Sequence, residues 1–295
     1  MRVCIGLANR NPCLFQVSHA GFSQLANSNC WATPQGWILV RDAASSSTYL
    51  VDPHSTTDTG RIPLPHLPEE NLSTYCTCLL SDYPADPCQT STSTGSSCIV
   101  LLVETDAPVI WYCRVGDGGE GWARHEYDIG TLDLGEGRSE KRVMCPIAAC
   151  RGKFYFNGCD FREVGVLEFR PGPVFSNIVT RKDIAGPKGF RKTFMVESEQ
   201  ELYMVCLMSG LDLDVVHRFS VHRMDFAGDE WRDVDDIGDR VFLLAYWYFG
   251  ASRSVVYPWN RRVVIFSLGD RTAKVLELDG APASDQALWM PPTHP

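Results

Sequence analysis

Arg114-Val115-Gly116-Asp117-Gly118-Gly119-Glu120-Gly121-Trp122 returns later in the chain as Arg223-Met224-Asp225-Phe226-Ala227-Gly228-Asp229-Glu230-Trp231. Arg, an apolar residue, Gly, an acid and Trp coincide in register. After each Trp the pattern runs on to Asp-Ile-Gly, at Asp128-Ile129-Gly130 and Asp236-Ile237-Gly238, with a gap of one residue. The physical unit is a hairpin. A strand ends near the Arg, Gly permits a tight turn, and the Trp opens the return strand with its ring packed inward. Matching places in two copies favour a core role for Trp122 and Trp231 over ligand stacking. Propeller blades repeat every ~40–50 residues, so the two copies lie two or three blades apart.

The rest of the chain reads the same way. Apolar residues come in short bursts bounded by Gly, Pro, Asp and Asn, at Trp37 to Val40, Cys98 to Val103, Val109 to Val115, Lys153 to Phe156, Val164 to Phe169, Leu202 to Met208, Val215 to Val221, Val241 to Tyr248 and Arg262 to Phe266. They are rich in Val, Ile, Phe, Tyr and Trp, which fit a pleated, half-buried surface. Many short strands with turn signals between them predict a sandwich, barrel or propeller. A chain of 295 residues exceeds one sandwich, so a propeller or two β domains is favoured. Tyr49 to Pro53 with Arg61 to Pro65, and Val264 to Phe266 with Val275 to Leu278, each read as two strands of one blade. Gln89 to Ser97 is Ser/Thr-rich and reads as a mobile loop.

Composition narrows the function classes. Hydrophobic residues make up 44 % and charged residues 21 %, the balance of a globular protein. No apolar run reaches the length of a membrane span, and Met1 to Phe15 lacks the apolar core of a signal peptide. The expected compartment is therefore the cytoplasm or nucleus. The net charge of −9 opposes phosphate binding, so no nucleic-acid partner is expected. The basic run Arg181, Lys182, Lys188, Arg191 and Lys192 reads as a solvated loop. The twelve cysteines come without a secretion signal, so they are expected to be mostly reduced and often buried.

The motifs that carry site chemistry are incomplete in this chain. Cys76-Thr77-Cys78, Cys88 and Cys98 lack the doubled pair spacing of structural zinc, and Cys145 and Cys150 read as core residues. Asp233-Val234-Asp235-Asp236-Ile237-Gly238 resembles the start of a calcium loop, but Ile237 and Leu244 stand where oxygen ligands are required, leaving a polar turn. Gly116 to Gly121 carries Asp117 and Glu120, which repel phosphate, and no phosphate-loop Lys follows. His217 and His222 lie on opposite faces of one strand. No G-x-S-x-G elbow occurs. No catalytic residue, cofactor or metal is assigned.

Gly36-Trp37-Ile38-Leu39-Val40, then Leu50-Val51-Asp52-Pro53 and Ile62-Pro63-Leu64-Pro65, resembles the opening of the plant DUF295 family, also called the KIB1-4 β-propeller family. Gly152-Lys153-Phe154-Tyr155 resembles its central strand. Phe194-Met195-Val196-Glu197-Ser198 with Glu201 to Val205 resembles its "LVES … GELLLV" stretch. Trp231 through Ile237-Gly238-Asp239-Arg240-Val241-Phe242-Leu243 resembles its "W … LGDRALFL" signature. Gly36, Trp37, Trp122, Trp231, Gly238, Asp239 and Arg240 thus stand as structural motif residues, with Arg240 expected to close a hairpin through Asp239 or a backbone carbonyl.

The resemblance implies an all-β, kelch-like single propeller of about six blades over residues 30–290. An N-terminal segment, residues 1–29, and a tail, residues 291–295, flank it. Cys13 to Val17 and Ala287 to Met290 are strand-like, and at least one is expected to meet the opposite end of the chain, burying Trp289 or Phe15. Many family members carry an F-box that docks on Skp1 in a cullin ubiquitin ligase. Nothing before Gly36 reads as an F-box, so direct Skp1 binding is not expected. The function implied is protein binding, as substrate recognition for such a ligase or as an F-box-less relative. The alternatives are a glycosidase- or lyase-like enzyme with its site in the propeller funnel, and a degenerate copy without a partner.

Overall fold

The computed structural model describes residues 3–8, 11–16, 28–42, 44–52, 60–68, 72, 76–84, 98–116, 121–157, 162–181, 190–209, 216–236, 262–267, 272–277 and 288–289. Among them every regular element is a strand, and no helix is long and apolar enough to cross a membrane. β1 (Val3–Ala8) and β2 (Asn11–Gln16) form an antiparallel pair. β3 (Asn29–Ala32), β4 (Ile38–Arg41), β5 (Thr48–Val51) and β6 (Arg61–Leu64) follow as an up-and-down sheet in chain order. β7 (Cys76–Leu80), β8 (Ile99–Glu104), β9 (Val109–Arg114) and β10 (Ala123–Glu126) repeat the same plan. A two-stranded hairpin of β11 (Thr131–Gly135) and β12 (Arg138–Lys141) comes next.

Two more four-stranded meanders follow. They are β13 (Ile147–Cys150), β14 (Lys153–Asn157), β15 (Glu163–Phe169) and β16 (Pro173–Val179), then β17 (Phe190–Ser198), β18 (Glu201–Ser209), β19 (Val216–Asp225) and β20 (Glu230–Val234). β21 (Arg262–Ser267) pairs with β22 (Thr272–Glu277). β23 (Leu288–Trp289) runs parallel to β1, with Cys4 beside Leu288 and Ile5 beside Trp289. The two chain ends therefore share one sheet, β2-β1-β23. The expected burial of Trp289 or Phe15 lies outside the described residues, as do the Gln89 to Ser97 segment and Gly238, Asp239 and Arg240.

Each meander is the unit from which a propeller is built, and in each the second strand is more buried than the fourth. All six residues of β8 and all four of β13 are buried, whereas β10 alternates and β16 is largely exposed. β13 is Ile-Ala-Ala-Cys, small and apolar, as a strand packed on both faces requires. Pro173 opens the exposed edge strand β16, where a missing N–H costs no ladder bond.

The chain forms two compact units, residues 1–143 with 247–261 and 278–295, and residues 144–246 with 262–277. In the first, β3 lies beside β7, and Leu39, Leu50, Leu67, Leu80, Leu102 and Trp111 join the two meanders in one core. In the second, β13 lies beside β17, and Cys150, Tyr155, Val166, Met204, Met224 and Trp231 do the same.

Several turns depart from the sequence reading. Gly116 takes the expected positive φ (+85°), but in the second copy of the repeat Asp229 adopts it (+49°). Gly228 serves another need there, because a Cβ on it would sit 3.1 Å from Asp225 Oδ2. The β17–β18 turn, for which the sequence carries no Gly or Asn signal, runs through Glu199 and Gln200, both with positive φ. The basic run does not stay a loop, since Arg191 and Lys192 belong to β17. The acidic run begins inside a strand, with Asp233 in β20 opposite His222.

Candidate functional site

The motif residues occupy structural places. Gly36 (φ +84°) closes the β3–β4 turn, donating its N–H to Thr33 O at 3.0 Å, while Trp37 O accepts from Thr33 N at 2.8 Å. Trp37 packs half-buried on the first core. Trp122 directly precedes β10 and Trp231 is the second residue of β20, so both stand at the start of a fourth strand in different meanders. They are 9 % and 2 % exposed. The Trp122 indole also donates from Nε1 to Pro65 O at 2.9 Å.

Residues that could do chemistry are few. Of the first strands of the four meanders, β3, β7 and β13 carry no Asp, Glu or His, and β17 carries Glu197, whose Oε1 accepts from Gln200 N at 2.7 Å in the β17–β18 turn. Glu104 is buried, and its Oε1 accepts from Trp111 Nε1 at 2.8 Å. Among the described residues no disulfide forms and no group of three or more His, Cys, Asp or Glu could hold a metal. Burial, then Glu104 and Asp106, pushes the Cys76 thiol up to about 12. Burial, then Glu197, pushes Cys150 up to about 11. The thiolate is the reactive form, so iodoacetamide at about pH 8 should alkylate Cys76 roughly a thousandfold more slowly than free cysteine. Peptide mass spectrometry reads this residue by residue, and a rate near that of free cysteine would contradict it.

One constellation has the order of a catalytic triad. Ser220 Oγ lies 2.9 Å from His222 Nε2. His222 Nδ1 lies 2.8 Å from Asp233 Oδ1, a close contact off the hydrogen-bonding axis. The burial is reversed for hydrolysis. A triad buries its acid and opens its nucleophile to substrate, but here the Asp233 side chain is 66 % exposed and the His222 side chain 7 %. The group is a clasp between β19 and β20. His222→Ala should cost about 1–3 kcal/mol, since it removes a buried imidazole, leaving a cavity and taking away the hydrogen bond to Ser220 Oγ. Asp233→Ala should cost less than about 1 kcal/mol, because water screens its exposed carboxylate. Denaturant unfolding of the two variants checks the order, and equal losses would contradict it.

The β11–β12 hairpin exposes two leucines, and the reading of apolar bursts does not reveal it. Its signal is present in the sequence: Thr-Leu-Asp-Leu and Arg-Ser-Glu-Lys flank Gly135-Glu136-Gly137, a hairpin pattern. All three turn residues take positive φ, +78°, +53° and +74°. Asp133 Oδ1 accepts from Gly135 N at 2.8 Å, in a register shift that bulges β11. The base is held firmly. Gly130 N donates to Asp128 Oδ1 at 2.9 Å, and Arg142 N donates to Gly130 O at 2.9 Å. Buried Tyr127 donates its N–H to Pro108 O at 3.0 Å. Beyond that base every residue of both strands is exposed. Leu132 is 49 % and Leu134 41 % exposed, although folding normally buries such side chains, at about 25 cal/mol per Å² of apolar surface.

A protein-family model described as the KIB1-4 beta-propeller matches residues 10–256. None of the curated proteins matches the chain.

Proposed function

Because the chain belongs to the KIB1-4 β-propeller family, we propose that it is a protein-binding propeller, with substrate recognition for a cullin-type ubiquitin ligase as its most specific form. The observation that carries the reading is the β11–β12 hairpin. It presents two leucines on strands whose every residue faces solvent. The Ser220–His222–Asp233 clasp, with its imidazole buried and its carboxylate exposed, offers an enzyme no working site, which favours binding over catalysis.

The test compares the full-length tagged chain with a Leu132→Ser/Leu134→Ser variant. Both side chains are exposed, so the variant should keep the wild-type fold and melting temperature. Quantitative mass spectrometry of proteins recovered from extract should then show at least one partner depleted about tenfold in the variant. Recovery of Skp1 and a cullin would place that partner in a ligase. Equal recovery of every protein by the two chains would remove the hairpin as the binding site.

A further inference from the structure

We propose that the free edge of β11 takes up an extended segment of the partner as a third strand, and that this segment alternates apolar and basic residues. The inference rests on the protein-binding reading and specifies the ligand of the same hairpin. Three observations carry it.

The first is the state of the edge. Among the described residues β11 and β12 form a sheet of their own, and an isolated two-stranded hairpin is marginally stable in water. Gly130 accepts a hydrogen bond from Arg142, which makes 130/142 a hydrogen-bonded pair. Antiparallel alternation makes Leu132/Glu140 the next one. The backbone N–H and C=O of Thr131 and Asp133 therefore point away from β12, towards the open edge. Strand addition satisfies such groups and supplies affinity that is independent of side chains.

The second is the difference between the two edges. β12 reads Arg138-Ser139-Glu140-Lys141, and charged edges of this kind resist strand addition. β11 reads Thr131-Leu132-Asp133-Leu134-Gly135, with one charge. The open edge is β11.

The third is the charge pattern. Asp133 and Glu136 lie on β11 and at the tip, whereas β12 and its exit carry Arg138, Lys141 and Arg142 with Glu140 among them, a net positive strand. Asp133 shares a face with Thr131, Ser139 and Lys141, and Leu132 shares the other with Glu140. An added strand beside β11 would set its basic side chains next to Asp133 and its apolar ones next to Leu132 and Leu134. A period of two places the two kinds on opposite faces.

The experiment uses the full-length ¹⁵N-labelled chain and a synthetic peptide, acetyl-Lys-Val-Lys-Val-Lys-Val-Lys-amide. Amide shifts are expected at residues 130–135. Affinity should fall about tenfold in Asp133→Lys and in Leu132→Ser/Leu134→Ser. It should fall by the same factor when Glu replaces Lys in the peptide, and when alternate peptide nitrogens are methylated. The last change removes backbone donors and leaves charge intact, so it separates strand addition from simple attraction. No shift at millimolar peptide, binding indifferent to methylation, or hairpin-mediated dimerisation of the chain would each overturn the proposal. If the peptide fails while the Leu132→Ser/Leu134→Ser variant still loses its partner, strand addition falls and the protein-binding reading stands. If that variant retains every partner, the hairpin is not the binding site and strand addition falls with it; if the wild-type chain recovers no partner at all, the protein-binding reading itself falls.

Discussion

Trp231→Ala is expected to lower folding stability by about 3–5 kcal/mol, the range for truncating a fully buried aromatic. Trp231 is 2 % exposed on β20, opposite Met224. Its indole belongs to a cluster that takes Cys150, Tyr155 and Val166 from one meander and Met204, Cys206 and Met224 from the next. The cavity would open between two sheets that each already have their backbone hydrogen bonds made. Neither can collapse into it without breaking its own ladder, so the loss should sit in the upper half of that range. The melting temperature of the transition that includes this unit should fall by roughly 6–15 °C. Trp231→Phe should cost less than half as much, since the ring still fills most of the space. Calorimetry with urea unfolding checks both, and a loss below about 1 kcal/mol for the alanine variant would mean that the ring is not a keystone between the sheets. Trp122→Ala should be comparable, because its packing in the first core is joined by the Nε1 bond to Pro65 O.

Gly165→Ala is the second, and its sign is informative. In an exposed strand interior, replacing Gly by Ala gains about 0.5–1 kcal/mol by restricting the unfolded chain. Here the expectation is a loss of about 1–3 kcal/mol. Gly165 on β15 stands opposite Phe156 on β14, and a Cβ at this position would overlap the Phe156 ring. That ring is itself buried and makes an edge contact with Phe175, centroids 6.5 Å apart. It has nowhere to go except out of its own packing. A double-mutant cycle tests the cause. In Phe156→Leu/Gly165→Ala the glycine substitution should cost at least about 1 kcal/mol less than it does alone. Additive losses would place the strain elsewhere.

These two residues differ in how far the sequence announces them. Trp231 is marked by its repeat, since Trp122 occupies the same place after a matching Arg and Gly. Gly165 carries no such mark. Val164-Gly165-Val166 reads as an ordinary strand, and the need for a missing side chain comes from a phenylalanine on the neighbouring strand. The β11–β12 hairpin was legible only in its turn, because its short, mostly polar strands lack the apolar bursts that reveal the others. The Ser220–His222–Asp233 clasp was half legible. Ser220 and His222 share a face by period two, but Asp233 joins them only through the pairing of β19 with β20.

What the sequence by itself determined is whatever depends on neighbours along the chain. Period-two apolar bursts, β-branched and aromatic content, and Gly or Asp at turns act over a few residues, and they specify strands, hairpins and meanders before any long-range contact forms. The Arg-to-Trp repeat adds that the meanders recur, which is enough for a propeller class. What only the tertiary structure decided is whatever depends on which strand lies opposite which. Register set the reversed burial of His222 and Asp233. The stacking of one sheet on the next made Trp231 a bridge, and a ring on β14 made Gly165 indispensable. Exposure settled the rest. The leucines of β11 carry the same side chains as those of β8, and only the surroundings that folding gives them leave the first pair exposed and the second buried.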